Sequence, residues 1–315
     1  MHVLKFMVKR AALGVLMVVA TSFLGFLLMS ALTGNVALNI LGPNASKAQL
    51  AAENVELGLN KPVLERYFTW AGHALQGNFG NSWFSAQSVT DAISTRLPVT
   101  VSLVAGTIVI SLVLSVAIGL WAGVRRGTAD RVVQAASIAG FIVPPFLLAL
   151  GLVLVFAVGL HWLPPTGYVA LNVSPEEWAK SLALPVVSLT FGVTAAVAQQ
   201  VRRSVIDVMD MEYVRTLRSR GLSEWRVLCV HVLKNAGAIG VQVLALQAIA
   251  LLGGAVIAEQ IFAMPGIGSW AVSSAPQGDV PAVMGIFVVF ALIVFSLNLL
   301  ADFIIALLNP KVTLV

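Results

Sequence analysis

Residues 213–235 read YVRTLRSRGLSEWRVLCVHVLKN and form a basic, amphipathic segment between two long apolar runs. Connections between neighbouring helices are usually only a few residues long. A polar, helix-like connection of this length is therefore expected to touch a partner rather than only to join two helices. We interpret it as the contact surface for a cytoplasmic partner. On composition alone, a basic interfacial helix that binds anionic lipid headgroups is the alternative.

The composition is that of a membrane protein. Of the 315 residues, 58% are hydrophobic and 10% are charged, whereas about 25% of a soluble domain is charged. The net charge of +5 is explained by the cytoplasmic excess of Lys and Arg in membrane proteins, and no nucleic-acid partner is expected. The single cysteine, Cys229, excludes an internal disulfide and a CxxC motif.

Six runs of at least 21 residues contain no charged side chain, and about 20 apolar residues suffice for a membrane-spanning helix. The sequence therefore predicts an all-α integral membrane protein with six transmembrane helices. The first run is longer than a signal-peptide core and lacks a clear cleavage site, so we expect it to be retained. The runs are Ala11–Leu32, Val99–Val124, Val132–Leu160, Ser181–Val201, Asn235–Ala258 and Val280–Ala301.

The distribution of basic residues predicts the orientation. With the N-terminus inside, the inner segments hold 14 Lys and Arg residues and the outer segments hold 5, which places both termini in the cytoplasm. Segment 202–234 then faces the cytosol, and segment 33–98 is a long first periplasmic or extracellular segment. We expect residues 1–98 to form one division of the chain and residues 99–310 a five-helix core.

Local patterns predict further elements. Ala48–Leu57 and Val63–Leu75 look like short amphipathic helices, and Thr90–Leu97 like a helical turn that Pro98 ends. The aromatic residues of this segment suit either a partner surface or the membrane interface. In the third run, Pro144 and Pro145 remove two backbone donors and should kink or break the helix near the bundle interior or a pathway; simple packing irregularity is the alternative.

The cytoplasmic segment is expected to be helix, break, helix. One helix is predicted from about Arg203 to Arg220, with a left-handed cap at Gly221. Ser223 is a candidate N-cap for the second helix, which Glu224 opens. Three apolar residues of that helix are spaced to share one face: Trp225, Leu228 and Val232.

The order of residues carries a more specific signal. Residues 212–221, EYVRTLRSRG, followed by 231–236, HVLKNA, resemble the EAA loop of ABC importer membrane subunits, most closely that of the dipeptide/oligopeptide permease family. Leu217 and Ser219 depart from the alanines of that pattern. Three other stretches resemble the family in the same order, so the resemblance covers nearly the whole chain: LGLNKP at 57–62 with GNFGNS at 77–82, STRLPVT at 94–100, and EQIFAMPGIG at 259–268.

This resemblance implies a type I ABC importer permease fold in a bacterial cytoplasmic (inner) membrane, surrounded by lipid, with peptides as substrates. It implies a homologous second permease subunit, two ATP-binding subunits that carry ATP and Mg, and an extracytoplasmic substrate-binding protein. A coupling helix within the loop at about 202–236 would dock on the ATPase. The implied coupling residues are Tyr213, Arg215, Thr216, Arg218, Gly221, Leu222, Glu224, Trp225, Arg226, Leu228 and His231.

The resemblance also implies roles for individual residues. Gly221 would carry the turn, Trp225 and Leu228 would form an apolar knob, and His231 could hydrogen-bond across the hairpin. The four arginines would pair with acids on the partner or with headgroups. Glu259 is expected at the membrane interface, at a span end, where a locally paired carboxylate is an equal alternative to a functional one. The residues implied for the pathway or for binding-protein docking are Pro144, Pro145, Glu259, Phe262, Pro265 and Gly266.

Motifs of other function classes are absent from the sequence. There is no phosphate-binding GxxxxGK[ST] loop, no HExxH and no GxSxG, so we expect no catalytic, cofactor or metal site in this chain and place ATP hydrolysis on separate subunits. A stand-alone secondary carrier or channel is the main alternative, but it predicts intramembrane acids, and only Glu259 and Asp302 are offered. A membrane-embedded enzyme would need a nucleophile with a base, which is not found in the runs.

Overall fold

The structure is a computed structural model that describes residues 2–32, 34 and 36–308. Within these residues the chain is helical apart from its loops, and the one β interaction is an isolated bridge between Asn81 and Ser88. The predicted all-α class is confirmed. The helices are α1 (His2–Leu32), α2 (Val36–Leu41), α3 (Lys47–Glu56), α4 (Val63–Ala74), α5 (Val89–Arg125), α6 (Gly127–Ile142), α7 (Pro145–Leu152), α8 (Pro175–Met209), α9 (Glu212–Ser219), α10 (Glu224–Arg226), α11 (Leu233–Ile261), α12 (Ile267–Gln277) and α13 (Val280–Leu308).

Five stretches of helix in the described chain are long and apolar enough to cross a membrane. Three of them extend past the charge-free runs at both ends, the last begins with its run at Val280 and extends past its end, and the first begins one residue earlier at Arg10. The helical stretches 130–140 and 145–159 meet at a bend of 94°. They give a sixth span only if the two stretches together count as one span. The five stretches are Arg10–Leu32, Val89–Arg125, Pro175–Met209, Glu224–Ile261 and Val280–Leu308.

The bend in the third predicted span lies at its two prolines. Helix α6 ends at Ile142, Pro144 has an extended backbone (φ −61°, ψ 135°), and Pro145 is the first residue of α7. Proline suits a first helical position because the amide hydrogen that it lacks would have no partner there. The predicted break is therefore present, and α7 continues as a π-helical stretch over Val153–Gly159.

The prediction that Pro98 ends a helical turn is wrong. Helix α5 runs without interruption from Val89 through Pro98 to Arg125. Hydroxyls near the proline bond to backbone carbonyls of the preceding turn: Ser94 Oγ donates to Asp91 O at 2.8 Å, and Thr95 Oγ1 donates to Ala92 O at 3.0 Å. These bonds do not replace the one that Pro98 removes, which would go to the Ser94 carbonyl. Proline is nevertheless tolerated within long apolar helices where the surrounding structure stabilises the backbone.

The chain divides into two compact units. The first comprises residues 100–264 with the described parts of 2–11 and 296–308, and α8 lies at its centre, packed against α6, α7 and α11. Val201 of α8 is fully buried, and a Cβ added at Gly119 of α5 or at Gly240 of α11 would come within 2.8 Å of it. Small residues at these two positions allow the helices to approach closely.

The second unit comprises residues 12–99 and 265–295. Helices α3 and α4 match the predicted short helices to within one residue at each end, and Ser46 and Gln49 form a capping box at the start of α3. Tyr67 of α4 is 5% exposed in a core with Phe26 and Met29. The aromatic residues of this segment were expected on a partner surface or at the membrane interface, yet Tyr67 packs inside its own unit.

An aspartate fastens the loop that precedes α5. Asp279 stands immediately before α13, and its carboxylate accepts hydrogen bonds from Ser82 Oγ at 2.5 Å and from the Trp83 amide at 3.2 Å. The Ala282 amide also donates to it, at 3.4 Å. The same carboxylate therefore caps a helix, where its charge faces the positive helix end, and holds the loop in place.

Candidate functional site

The basic segment at residues 213–235 folds as a short helical hairpin. The single helix predicted over 203–220 is wrong, because α8 ends at Met209 and α9 begins anew at Glu212. Met211, between the two helices, has an extended backbone (φ −70°, ψ 143°). Helix α9 is thus a separate element with its own direction. We call residues 212–232 the basic hairpin.

The turn of the basic hairpin is built around Gly221, as predicted. Gly221 has φ +80°, and no atom lies within 4 Å of a Cβ placed on it. Its amide donates to Arg218 O at 2.9 Å, and the Leu222 amide donates to Leu217 O at 3.4 Å. This pair of bonds is the Schellman motif that commonly ends a helix at a glycine.

One ion pair closes the hairpin across that turn. Arg218 donates from Nε to Glu224 Oε1 at 2.7 Å and from Nη2 to Glu224 Oε2 at 3.2 Å. Arg218 was expected to pair with a partner or with headgroups, but in this chain it pairs within the hairpin. Ser223 occupies the N-cap position, yet its side chain makes no capping bond. An exposed bidentate pair contributes up to about 1 kcal/mol, enough to favour one shape of the turn.

The base of the hairpin is joined by Tyr213 and Asn235. The Asn235 side-chain amide donates to Tyr213 Oη at 3.1 Å and to the His231 carbonyl at 2.9 Å. Among the described residues, the bond across the hairpin that was expected of His231 is therefore made by Asn235. The sequence carried a signal for Asn235, since it lies four residues after His231 within the quoted HVLKNA stretch.

The predicted apolar face of Trp225, Leu228 and Val232 is wrong. Val232 is fully buried, whereas the Trp225 side chain is 72% exposed, and Leu228 is half-buried. The predicted spacing assumes an α-helix, whereas Val227–Val232 is π-helical, and its wider i→i+5 turn shifts which residues face inward. Val227 and Val232, five residues apart, are both fully buried.

The exposed side of the hairpin is basic and aromatic. Arg215, Arg220 and Arg226 are exposed, and none of them forms an ion pair with a described residue. Thr216 is exposed, with its hydroxyl bonded to Glu212 O at 3.1 Å, while Leu222 is half-buried. The structure thus brings the sequence-predicted residues together on one small hairpin, and leaves Trp225 and three arginines open to contact.

Two further ion pairs fix the neighbouring chain. Arg126, between α5 and α6, bonds to Asp210 at 2.7 Å, immediately before the hairpin. Arg202 of α8 bonds to Asp130 of α6. These bonds connect the segment before the hairpin to the α5–α6 connection and to α6.

Glu259 lies near the end of its span, as expected, and of the expected alternatives the locally paired carboxylate is the one present. It is fully buried in α11, and Thr100 Oγ1 donates to its Oε1 at 2.6 Å. Three residues on, Phe262 is 1% exposed, and its carbonyl accepts from the Gly167 amide at 2.7 Å. A buried acid requires hydrogen-bond partners, and this one has them within its own unit.

The remaining predicted pathway residues belong to both units of the chain. Pro144 and Pro145 are exposed in this chain. Pro145 borders a small apolar cavity of about 60 Å³ between α7, α8 and α11. In the second unit, Pro265 is exposed, and Gly266 is buried just before α12 with an extended backbone (φ −93°). That φ does not require glycine.

Comparison with known proteins identifies relatives over the full length. Residues 115–314 match the family model described as "Binding-protein-dependent transport system inner membrane component", and residues 3–104 match the model of its N-terminal part. A putative peptide transport system permease protein of Brucella abortus (strain 2308) is 34% identical over 96% of this chain and 97% of its own length.

Other matches agree. The oligopeptide transport system permease protein AppB of Bacillus subtilis (strain 168) is 30% identical over 98% of both chains. The glutathione transport system permease protein GsiC of Shigella flexneri is 32% identical over 98% of this chain and 99% of its own. Among solved structures, a chain of the MetNI methionine ABC transporter in inward-facing form matches with a TM-score of 0.57 and 16% identity, covering 69% of this chain and 96% of that one. That likeness concerns the fold alone.

Proposed function

The chain belongs to the family of binding-protein-dependent transport system inner membrane components, and from this premise we propose that it is the permease subunit of an ATP-driven importer of peptides. It is a multi-pass membrane protein. Peptides are proposed as cargo because two of the relatives above are named as permeases for peptides or oligopeptides, and the third is named for glutathione, itself a short peptide.

The observation that carries the proposal is the exposure of Trp225 on a hairpin that is otherwise internally braced. A large aromatic side chain that is 72% exposed, beside unpaired arginines, is the composition of a protein contact whose centre is aromatic and whose rim is charged. We assign the contact to an ATP-binding subunit, with Trp225 and Leu228 as the apolar part. Arg215, Arg220 and Arg226 would pair with acidic groups on that subunit.

The proposal includes the assembly and its orientation. A homologous second permease, two ATP-binding subunits that hold ATP and Mg, and an extracytoplasmic binding protein would complete the importer in a bacterial inner membrane. The bent pair of 130–140 and 145–159 would count as one span, which gives six spans and places both termini and the basic hairpin in the cytoplasm. The excess of 14 over 5 basic residues in the inner segments supports this orientation.

The coupling residues would act as a relay. ATP-driven closure of the partner subunits would move the hairpin through Trp225, and the Arg126–Asp210 bond would pass that movement to the start of α6. On the opposite face, Pro265 and Gly266 would lie where the binding protein docks. The exposed Pro144 and Pro145 would face the second permease or the pathway. The fully buried Glu259 would stabilise the bundle near Phe262.

A substitution of Trp225 tests the contact. The full assembly is reconstituted in vesicles, and ATP-driven uptake of a labelled peptide is measured together with co-purification of the ATP-binding subunit. Trp225→Asp should leave the chain inserted and thermally stable, because the side chain is exposed, but should abolish co-purification and uptake. Trp162→Asp is the matched control, since Trp162 is a 66% exposed tryptophan outside the basic hairpin. Normal coupled uptake in Trp225→Asp would rule out this contact.

The buried Glu259 is the one observation that favours the alternative function, a stand-alone secondary carrier. A stand-alone secondary carrier would use an intramembrane carboxylate such as Glu259, and its uptake would need no ATP. That alternative predicts that a protonophore stops uptake and that Glu259→Gln changes its pH dependence. The importer predicts uptake that needs ATP and the ATP-binding subunits and that persists with the protonophore present.

A further inference from the structure

The second unit contains a cavity that the proposed pathway does not use. It has a volume of about 470 Å³, within the range of roughly 300–1,000 Å³ typical of small-molecule sites, and lies beside one face of α4. Besides Thr69, three residues of that helix line it, spaced i, i+4 and i+7. They are Arg66, Trp70 and His73.

The other walls come from sequence-distant parts of the same unit. Phe26 of α1 and Trp83 add aromatic surface, and Val280 with Pro281 closes the cavity at the start of α13. Trp83 is held in place because its backbone amide donates a hydrogen bond to the Asp279 carboxylate at 3.2 Å. The walls therefore combine helices α1, α4 and α13 with a hydrogen-bonded loop residue, while Leu57, Gly58 and Lys61 of the α3–α4 loop also belong to the lining.

The charge in this cavity is incompletely compensated. Arg66 is half-buried, and its guanidinium lies over the Phe26 ring at 5.6 Å from the centroid. Burial lowers the pKa of Arg66, and no described acidic side chain forms an ion pair with it. Lys61, by contrast, is exposed and paired with Glu65 at 3.3 Å. A partly buried guanidinium without a partner is costly, and its fork of donors matches a carboxylate.

We propose that this cavity binds the C-terminal carboxylate of a short peptide through Arg66. The identity of the ligand rests on the proposed function; the anion site itself rests on the cavity and on Arg66. Trp70 and Trp83 offer apolar contact to a peptide side chain. Glu56, an acidic residue in the lining, suits the N-terminal ammonium group. A ligand with both charges would then find a lining residue of opposite charge for each of them.

The lining favours a singly charged carboxylate over a free phosphate. Lys61 is already paired with Glu65, and Glu56 adds a negative charge to the lining. A dianion would therefore be attracted by Arg66 but repelled by Glu56. A lipid headgroup is the other source of a single negative charge. Its two acyl chains distinguish it from a peptide, and the membrane composition can be varied to separate the two.

The test is equilibrium binding of labelled dialanine to the full chain in nanodiscs of phosphatidylcholine. Dialanine amide, which lacks the carboxylate, should bind at least about tenfold more weakly, as expected for the loss of a charge-assisted bond. Arg66→Gln should weaken dialanine binding by a similar factor and leave the amide unaffected. Arg66→Lys should give an intermediate loss, because it keeps the charge but not the fork.

The matched control is Arg96→Gln. Arg96 belongs to the same unit and also lies over an aromatic ring, that of Trp270 at 5.0 Å, but it does not line the cavity. Binding in this variant should equal that of the unmodified chain. Helical circular dichroism and thermal unfolding of each variant establish that it is folded before its binding is compared.

Three results would overturn the proposal: no binding of dialanine to the unmodified chain, equal binding of dialanine and its amide, or an equal loss in Arg96→Gln. A fourth is dialanine binding that disappears when phosphatidylglycerol is added to the nanodiscs, since the site would then belong to lipid. ATP-driven uptake is measured separately. Normal uptake without dialanine binding rejects the cavity site alone, whereas binding without any ATP-driven uptake rejects the proposed function alone.

Discussion

Replacing Gly221 tests the shape of the basic hairpin with a cost that can be worked out beforehand. Gly221 has φ +80°, and its surroundings leave room for a Cβ, so the cost of alanine comes from backbone conformation alone. A left-handed alanine costs about 1–2 kcal/mol. The reduced freedom of the unfolded chain returns about 0.4–1 kcal/mol. The net loss is therefore about 1 kcal/mol, or roughly fivefold in the opening equilibrium of the hairpin.

Other substitutions of Gly221 should destabilise the hairpin by different amounts. Gly221→Asn should cost less than alanine, because asparagine tolerates the left-handed region, and Gly221→Val should cost more. Gly221→Pro fixes φ near −65° and removes the amide that donates to Arg218 O at 2.9 Å, so a loss of about 3 kcal/mol or more is expected. Only the proline variant should abolish ATP-coupled uptake while the spans remain inserted.

The assay is amide hydrogen exchange of residues 212–232 in the assembled importer, alongside uptake. Exchange should quicken in the order Asn, Ala, Val, Pro. Gly42→Ala is the control, because Gly42 has φ +84° and equally open surroundings but lies in the second unit, so exchange of the hairpin should not change. The reasoning fails if all four Gly221 variants leave exchange unchanged, or if Gly221→Pro transports normally.

Two further predictions concern the first unit. Thr100→Val removes the hydroxyl that donates to the buried Glu259 at 2.6 Å and should lower the free energy of unfolding by about 1–3 kcal/mol, with Thr100→Ser near the unmodified value; an unchanged melting temperature in detergent would contradict it. Gly240→Ala places a Cβ at 2.8 Å from Val201 Cγ2 and should cost about 1–3 kcal/mol. Val201→Ala should relieve that strain, so the double variant should lose less than the sum of the two single losses.

Much of the fold follows from the sequence, because the deciding properties are local. Charge-free runs indicated the helices of the five spans, since a run that long has few alternatives in a bilayer. The same holds for Gly221, where a glycine after a helix pattern predicts a left-handed cap, and for Pro144, which marks the break before α7. Each of these outcomes depends on the residue and its immediate neighbours in the chain.

The sequence misled where a tertiary environment overrides a local preference. Pro98 normally ends a helix, but α5 continues through it to Arg125, as proline can within a long apolar helix that the rest of the fold supports. Glu259 was expected at an interface because it ends an apolar run, yet Thr100, 159 residues away in the chain, gives it a buried partner. No pattern within the run indicates that pairing.

Arg66 shows the same limit for a site. Its sequence context is a short amphipathic helix, which predicts an exposed cation. The cavity around it is formed by Phe26, Trp83 and Pro281, which are distant in the sequence. Whether such a cation is solvated or poised for a ligand is decided by those walls, so only the folded unit could indicate it.

The shape of the hairpin bears on the two interpretations that composition left open, a partner contact and a helix on lipid headgroups. A helix that only rests on headgroups needs one apolar stripe facing the lipid, and the regular spacing of Trp225 and Val232 would have supplied it. The π-helical stretch breaks that stripe, because Val227 and Val232 turn inward and are fully buried while Trp225 remains 72% exposed. Trp225 is the most exposed large apolar side chain of the hairpin, ahead of Val230 at 52%, and on a turn braced by Arg218 and Glu224 it supports the proposed contact with a protein groove.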